Sequence, residues 1–303
     1  MIRRLSTLFL AASLLGSVAC GNASDQGSSE AGSGGEDSCR APYEQTFSGV
    51  EAYPVFASSD VSVGSNRFLV GLLNDDDAPI GAPDIEMEIE FVDLTDCPAE
   101  PGPANKMDFV WSIKPDVGLY RTDVEFDSAG TWGAEVKITG DGLNETVKAS
   151  FDVAKEPVTP AIGDPAPTAD TPTADDVKDL SQISTDAKPV PRFYAMSVAE
   201  ALKKGKPFVV AFSTPKFCQT QTCGPTLEVV KSVAGDFPKL TFIHVEPYEL
   251  PADPAALEPV AAVEEWGLPS EPWVFVVDGD GKVAAKYEGA LAAEELKEAL
   301  ADL

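Results

Sequence analysis

Cys218 and Cys223 stand in the stretch STPKFCQTQTCGPT, residues 213–226, with four residues between them. Two thiols at this spacing have three chemistries open to them. They can exchange with other disulfides, hold a soft metal ion, or close an inert bridge. Geometry narrows the choice of backbone. On one continuous helix, residues five apart are turned by ~140° and separated by ~7.5 Å along the axis. That is too far for a disulfide, so a pair that closes must have one cysteine off the helix. Gly224-Pro225 suggests where the helix begins, because proline is tolerated in a first turn. Cys218 is then expected in the preceding loop and Cys223 at the helix start, where a neighbouring thiol loses its proton more easily.

The elements that must position this pair can be read around it. Ser197-Val198-Ala199-Glu200 is a capping box for a short helix ending near Gly205. The apolar run 207–212 follows as a buried strand and enters the cysteine segment. A helix is expected through Leu227–Val233, a strand over Leu240–Val245 and a helix over 255–266. A strand over Trp273–Val277, a turn at Asp278-Gly279-Asp280-Gly281, a return strand over 282–287 and a helix from Leu291 to Leu303 complete the pattern.

The beginning of the chain sets the compartment. Residues 1–19 carry Arg3 and Arg4 and then an apolar stretch too short to span a bilayer, which reads as a signal peptide. Gly16-Ser17-Val18-Ala19 leads into Cys20 and resembles the bacterial lipoprotein signal, which implies acylation of Cys20. Residues 20–38 are mostly Gly, Ser, Ala and acid, the composition of a flexible tether. An exported chain lives where disulfides persist. Cys39 and Cys97 are then expected to staple the first half of the chain. The formal charge of −28 argues against nucleic acid as a partner. The reading for localisation is extracytoplasmic, lipid-anchored to a bacterial membrane.

Residues 39–154 read as an all-β domain. Ile85-Glu86-Met87-Glu88-Ile89-Glu90-Phe91 alternates without a break, and about seven short strands with turn signals suggest a sandwich. Residues 155–190, rich in Pro, Thr, Ala and Asp, read as an extended linker to residues 191–303.

Two resemblances follow from these residues. The run Gly118-Leu119-Tyr120, Phe126, Gly130-Thr131-Trp132, Val136 weakly resembles immunoglobulin-like domains of bacterial envelope proteins. The C-terminal order, with a cysteine pair after the first buried strand and Pro272 before Trp273–Asp278, resembles the thioredoxin-like superfamily. The expected fold class is thus multidomain: an N-terminal all-β immunoglobulin-like sandwich and a C-terminal α/β thioredoxin-like domain. The resemblance implies one attacking and one resolving thiol in this pair, with Cys218 favoured as nucleophile by its place after the strand and Cys223 the alternative through Cys223-Gly224-Pro225-Thr226, and a cis Pro272 facing both, with Pro269 the competing proline. Two departures stand out: the pair is C-x4-C, and the family's buried acid falls at Ala211.

The functional reading is thiol–disulfide exchange on protein cysteines of the cell envelope, an oxidoreductase activity needing neither cofactor nor metal. Three other readings stay open. A redox-silent binding lipoprotein would keep a structural disulfide. A copper carrier would recruit His244, the sole histidine. A peroxidase would need an arginine, and none follows Arg192.

Overall fold

The alternating run around Glu86 forms β3 (Glu86–Asp93), with Met87, Ile89 and Phe91 turned inward and Glu86 and Glu88 exposed. The computed structural model describes residues 39–44, 47, 49–95 and 100–303, and these fall in one compact unit. Cys20, Cys97 and the signal and tether segments lie outside the described residues.

Two four-stranded sheets fill the first half. One has the order β1 (Ala52–Phe56), β2 (Gly64–Asn74), β6 (Val117–Phe126), β5 (Asp108–Ile113). The other runs β4 (Asn105–Lys106), β3, β7 (Gly130–Gly140), β8 (Leu143–Val153), and all pairs in both are antiparallel. Phe68 and Tyr120 of the first sheet share one core with Ile89, Phe91 and Val136 of the second. Four phenylalanines hold the centre: Phe68, Phe91, Phe126 and Phe151 lie with centroids 5.0–6.3 Å apart, mostly edge to face. Such contacts add about 0.5–1.5 kcal/mol per pair beyond area burial. Tyr120 and Trp132 belong to this core, with the Tyr120 hydroxyl donating to the Ala82 carbonyl.

A third sheet has the order β10 (Thr241–Val245), β9 (Phe208–Phe212), β11 (Trp273–Val277), β12 (Val283–Glu288). β10 and β9 are parallel, and the other two pairs are antiparallel. β9 and β11 are buried along their whole length, which explains their unbroken apolar sequences. Four helices flank it: α1 (Val198–Lys204), α2 (Cys223–Asp236), α3 (Ala261–Glu265) and α4 (Ala293–Ala301). Ser197 and Glu200 form the reciprocal cap of α1, and Gly205 ends it at φ 57°. The helix read over 255–266 shrinks to α3, because Pro259 pairs with Tyr248 in an isolated bridge and Val260 is extended.

Residues 155–190 run along the surface of the sheets and are pinned at several points. Asp60 accepts from the Val158 and Thr159 amides and the Thr159 hydroxyl, and from Lys286 at 3.1 Å. Ala169 is fully buried, and its carbonyl accepts from the Ala199 amide. Arg67 of β2 reaches Glu295 of α4 at 2.7 Å and also donates to the carbonyls of Glu288 and Ala290. The expected fold class is therefore corrected. The described chain is predominantly β, with twelve strands in three sheets against four α-helices of 5 to 14 residues. It does not divide into an immunoglobulin-like domain and a separate α/β domain of thioredoxin type.

Candidate functional site

β9 runs out into Ser213-Thr214-Pro215, and a turn then carries Cys218 to the head of α2. The Cys218 amide donates to the Thr214 carbonyl at 3.1 Å, and the Gln221 amide donates to the Cys218 carbonyl at 3.2 Å. Gln221 has a left-handed φ of 59°, which reverses the chain into Thr222 and Cys223. Cys223 is the first residue of α2, and Pro225 sits within its first turn. The inner face of α2, at Cys223, Thr226, Leu227, Val230, Val233 and Ala234, is buried at helical spacing. This packing fixes Cys223, while the turn leaves Cys218 half-buried; both are free thiols.

The two sulfurs and a carboxylate oxygen of Glu271 all lie within 4.8 Å of one another. The Cys223 amide donates to Cys218 Sγ at 3.4 Å, and the Thr220 hydroxyl stands 3.3 Å from the same sulfur. The Cys223 thiol, aided by Thr220 and by backbone amides against the pull of burial, draws the Cys218 pKa down to about 5. The same contact and burial push the Cys223 thiol far up, with Glu271 adding to the rise. One sulfur thus keeps the anionic charge and the other keeps the proton.

Glu271 comes from the loop before β11. Burial raises its pKa; the Tyr248 hydroxyl, donating at 3.1 Å, opposes this, and the Cys218 charge adds to it. Burial, together with Glu271, lifts Tyr248 to about 12. The Glu271–Pro272 bond is cis, as are Lys114–Pro115 and Leu250–Pro251. A carboxylate directly before Pro272 and beside the pair would ordinarily raise the pKa of an attacking thiol. In the structure its effect falls on Cys223, whereas Cys218 is lowered by its own donors.

His244 is placed elsewhere. It is fully enclosed on β10, with Nε2 donating to the Ser213 carbonyl at 2.8 Å. Nδ1 is left to accept from the Tyr194 hydroxyl at 2.7 Å. Burial holds its pKa down at about 4. With both ring nitrogens engaged, it does not join the cysteines. Cys39 is disulfide-bonded and stands apart from the pair in sequence and in the described contacts. A cleft of about 570 Å³ lies between β2, β6, β12 and α4. Its arginines, Arg67 and Arg121, are taken up by Glu295, Asp108 and Asp123.

The residues that sequence reasoning missed are the ones that hold the pair. The Thr222 hydroxyl lies 2.9 Å from that of Ser112 on β5, both buried, so the sandwich braces the head of α2. Tyr248, which orients Glu271, follows β10 with no local signal for this contact.

No family model and no curated protein matches the chain. Solved structures similar to parts of it include a DUF4426 family protein from Pseudomonas aeruginosa, 12% identical with a TM-score of 0.26, covering 37% of this chain and 96% of that one. Another is a putative glycoside hydrolase from Bacteroides vulgatus, 13% identical with a TM-score of 0.21, covering 41% of this chain and 25% of that one. A third is MtrC from Shewanella baltica, 11% identical with a TM-score of 0.26, covering 51% of this chain and 29% of that one. At these identities and scores they carry no argument about activity. The two family resemblances read from sequence are corrected by the architecture itself, which among the described residues is predominantly β, in three sheets with four short α-helices.

Proposed function

We propose that this chain is an extracytoplasmic thiol–disulfide exchange protein, tethered through a lipid on Cys20, that acts on protein cysteines through Cys218 and Cys223. The observation that carries this reading is the asymmetry of the pair: two free sulfurs within 4.8 Å, one half-exposed in a turn and one buried at a helix start. The lowered Cys218 pKa supports it, since the thiolate is the attacking species.

The chemistry balances without a cofactor. The Cys218 thiolate attacks a partner disulfide, forming a mixed disulfide and expelling one partner thiolate. Cys223 gives up its proton and attacks Cys218 Sγ, releasing the second partner thiolate and closing Cys218–Cys223. The partner gains two electrons and the pair loses two; the reverse reaction uses the same intermediate. Glu271, with a carboxylate oxygen within 4.8 Å of both sulfurs, is placed to accept the Cys223 proton.

Equilibration of the pair against a defined thiol/disulfide buffer tests this reading. Exchange predicts a reduction potential above about −300 mV, where physiological thiol pairs work. A potential below that value marks a structural disulfide and removes the proposal.

A further inference from the structure

Cys218, Cys223 and Glu271 present a donor set that thiol exchange alone does not require: two sulfurs and one carboxylate oxygen, mutually within 4.8 Å. Zinc holds thiolates at about 2.3 Å and carboxylate oxygens at about 2.0–2.2 Å in a tetrahedron. Its ligand atoms then stand roughly 3.3–3.8 Å apart, so closing this triangle on an ion needs a contraction of at most about 1.5 Å. Side-chain rotation supplies that, since Cys218 lies in a turn and Glu271 in a loop.

The ligands also have the oriented surroundings of a metal site. Tyr248 donates to Glu271 Oε2 at 3.1 Å. Cys218 Sγ has the Cys223 amide at 3.4 Å and the Thr220 hydroxyl at 3.3 Å. Partners of this kind fix a ligand's direction, and losing them typically weakens a metal about 10–100-fold.

We propose that the reduced chain binds one zinc ion through Cys218 Sγ, Cys223 Sγ and the Glu271 carboxylate, with a fourth position open to water. Zinc fits this mixture better than copper(I). A hard carboxylate oxygen is a poor copper(I) ligand, and the imidazole that would favour copper is held by Tyr194 and Ser213. Calcium and magnesium are excluded by the two sulfurs. Binding expels the Cys223 thiol proton to solvent and changes no oxidation state. Zinc and disulfide formation therefore compete for the same two sulfurs, and oxidation of the pair releases the ion. The inference needs only that both thiols be reduced together; it does not depend on exchange with a partner protein.

The test uses the folded chain reduced with a phosphine and freed of metal. Zinc is titrated against a chromophoric chelator, and cobalt(II) is used as a spectroscopic substitute. Reduced protein should take up one tight equivalent and show sulfur-to-cobalt charge transfer, and the disulfide form should show neither. Glu271→Gln should weaken zinc by at least about tenfold, with Tyr248→Phe intermediate. Equal uptake by reduced and oxidised protein would mean adventitious binding to the acidic surface and overturns the site. So does zinc affinity unchanged in Glu271→Gln, which leaves the sulfurs without their third ligand. Lack of charge transfer in the wild-type cobalt form overturns it without reliance on any variant. The potential measurement above is made with chelator present, so the two readings fail separately.

Discussion

The backbone amide of Cys223 points at the sulfur of Cys218 from 3.4 Å, so the residue that closes the pair also stabilises its charge. This follows from where α2 begins. Its first residue is Cys223, and a free first-turn amide is available to a sulfur in the preceding turn.

That relationship predicts selective alkylation. In reduced, metal-free protein, iodoacetamide should modify Cys218 at least about tenfold faster than buried Cys223, because reactivity follows thiolate character and access. The Cys218 rate should hold from neutrality downward and fall only near pH 5, its pKa being lowered to about 5. Peptide mapping after short exposures reads the ratio. Equal labelling of the two, or a rate that already falls between neutrality and mild acid, contradicts the assigned charge.

Ser112 and Thr222 link the sandwich to the head of α2 through one buried hydrogen bond of 2.9 Å. Ser112→Ala should cost about 1–2 kcal/mol in denaturant unfolding, since it leaves a buried hydroxyl poorly satisfied. It should also raise the half-saturation pH of Cys218 alkylation if the brace holds the turn. A stability loss with no change in that profile would confine Ser112 to folding.

His244 makes stability depend on acid in a defined window. Its folded pKa is about 4, below the ordinary 6.5, because burial opposes the charge. The unfolded chain takes up a proton first as pH falls, so stability is intact above about pH 6.5 and drops toward pH 4. The full loss from this residue is about 3 kcal/mol. Glu246 works in the opposite sense, because burial raises its pKa. The comparison is therefore wild type against His244→Gln: the variant's stability curve should lose this slope across the window, so that the difference between the two curves carries it. An unchanged slope contradicts a neutral buried His244.

Arg67 and Glu295 form an ion pair with side chains only 9% and 7% exposed. Arg67→Ala leaves a buried carboxylate short of its principal donor and should cost about 3 kcal/mol. Thermal unfolding measures it. A shift no larger than that of an exposed pair such as Lys106–Glu86 would show that Arg121 alone suffices for Glu295.

Local pattern carried much of this structure, and long-range contact carried the rest. The alternation at Glu86–Phe91 reports one buried face, and the apolar runs 208–212 and 273–277 report strands buried on both. The Ser197–Glu200 cap and Gly205 delimit α1 by local hydrogen bonding alone. The cysteines were visible as a pair, and Gly224-Pro225 marked the helix start that separates them. What stayed hidden depends on residues far apart in sequence. Tyr248 meets Glu271 across 23 positions, Ser112 meets Thr222 across 110, and Arg67 meets Glu295 across 228. Residues 155–190 look unable to bury anything, yet Ala169 is sequestered because its neighbours bring the apolar surface. The family reading failed for a related reason: a C-x4-C spacing and a proline before a strand are short motifs, and they say nothing of the antiparallel pairing that joins every strand pair but β9–β10.

The most direct test of the central claim is covalent trapping. Cys223→Ser removes the resolving sulfur, so a partner attacked by Cys218 should stay attached as a mixed disulfide that a reductant releases. The account predicts adducts on Cys218 in Cys223→Ser and none on Cys223 in Cys218→Ser, by non-reducing electrophoresis and peptide mapping of protein exposed to disulfide-bearing substrate proteins. Adducts formed only through Cys223, or none with either variant, would contradict it.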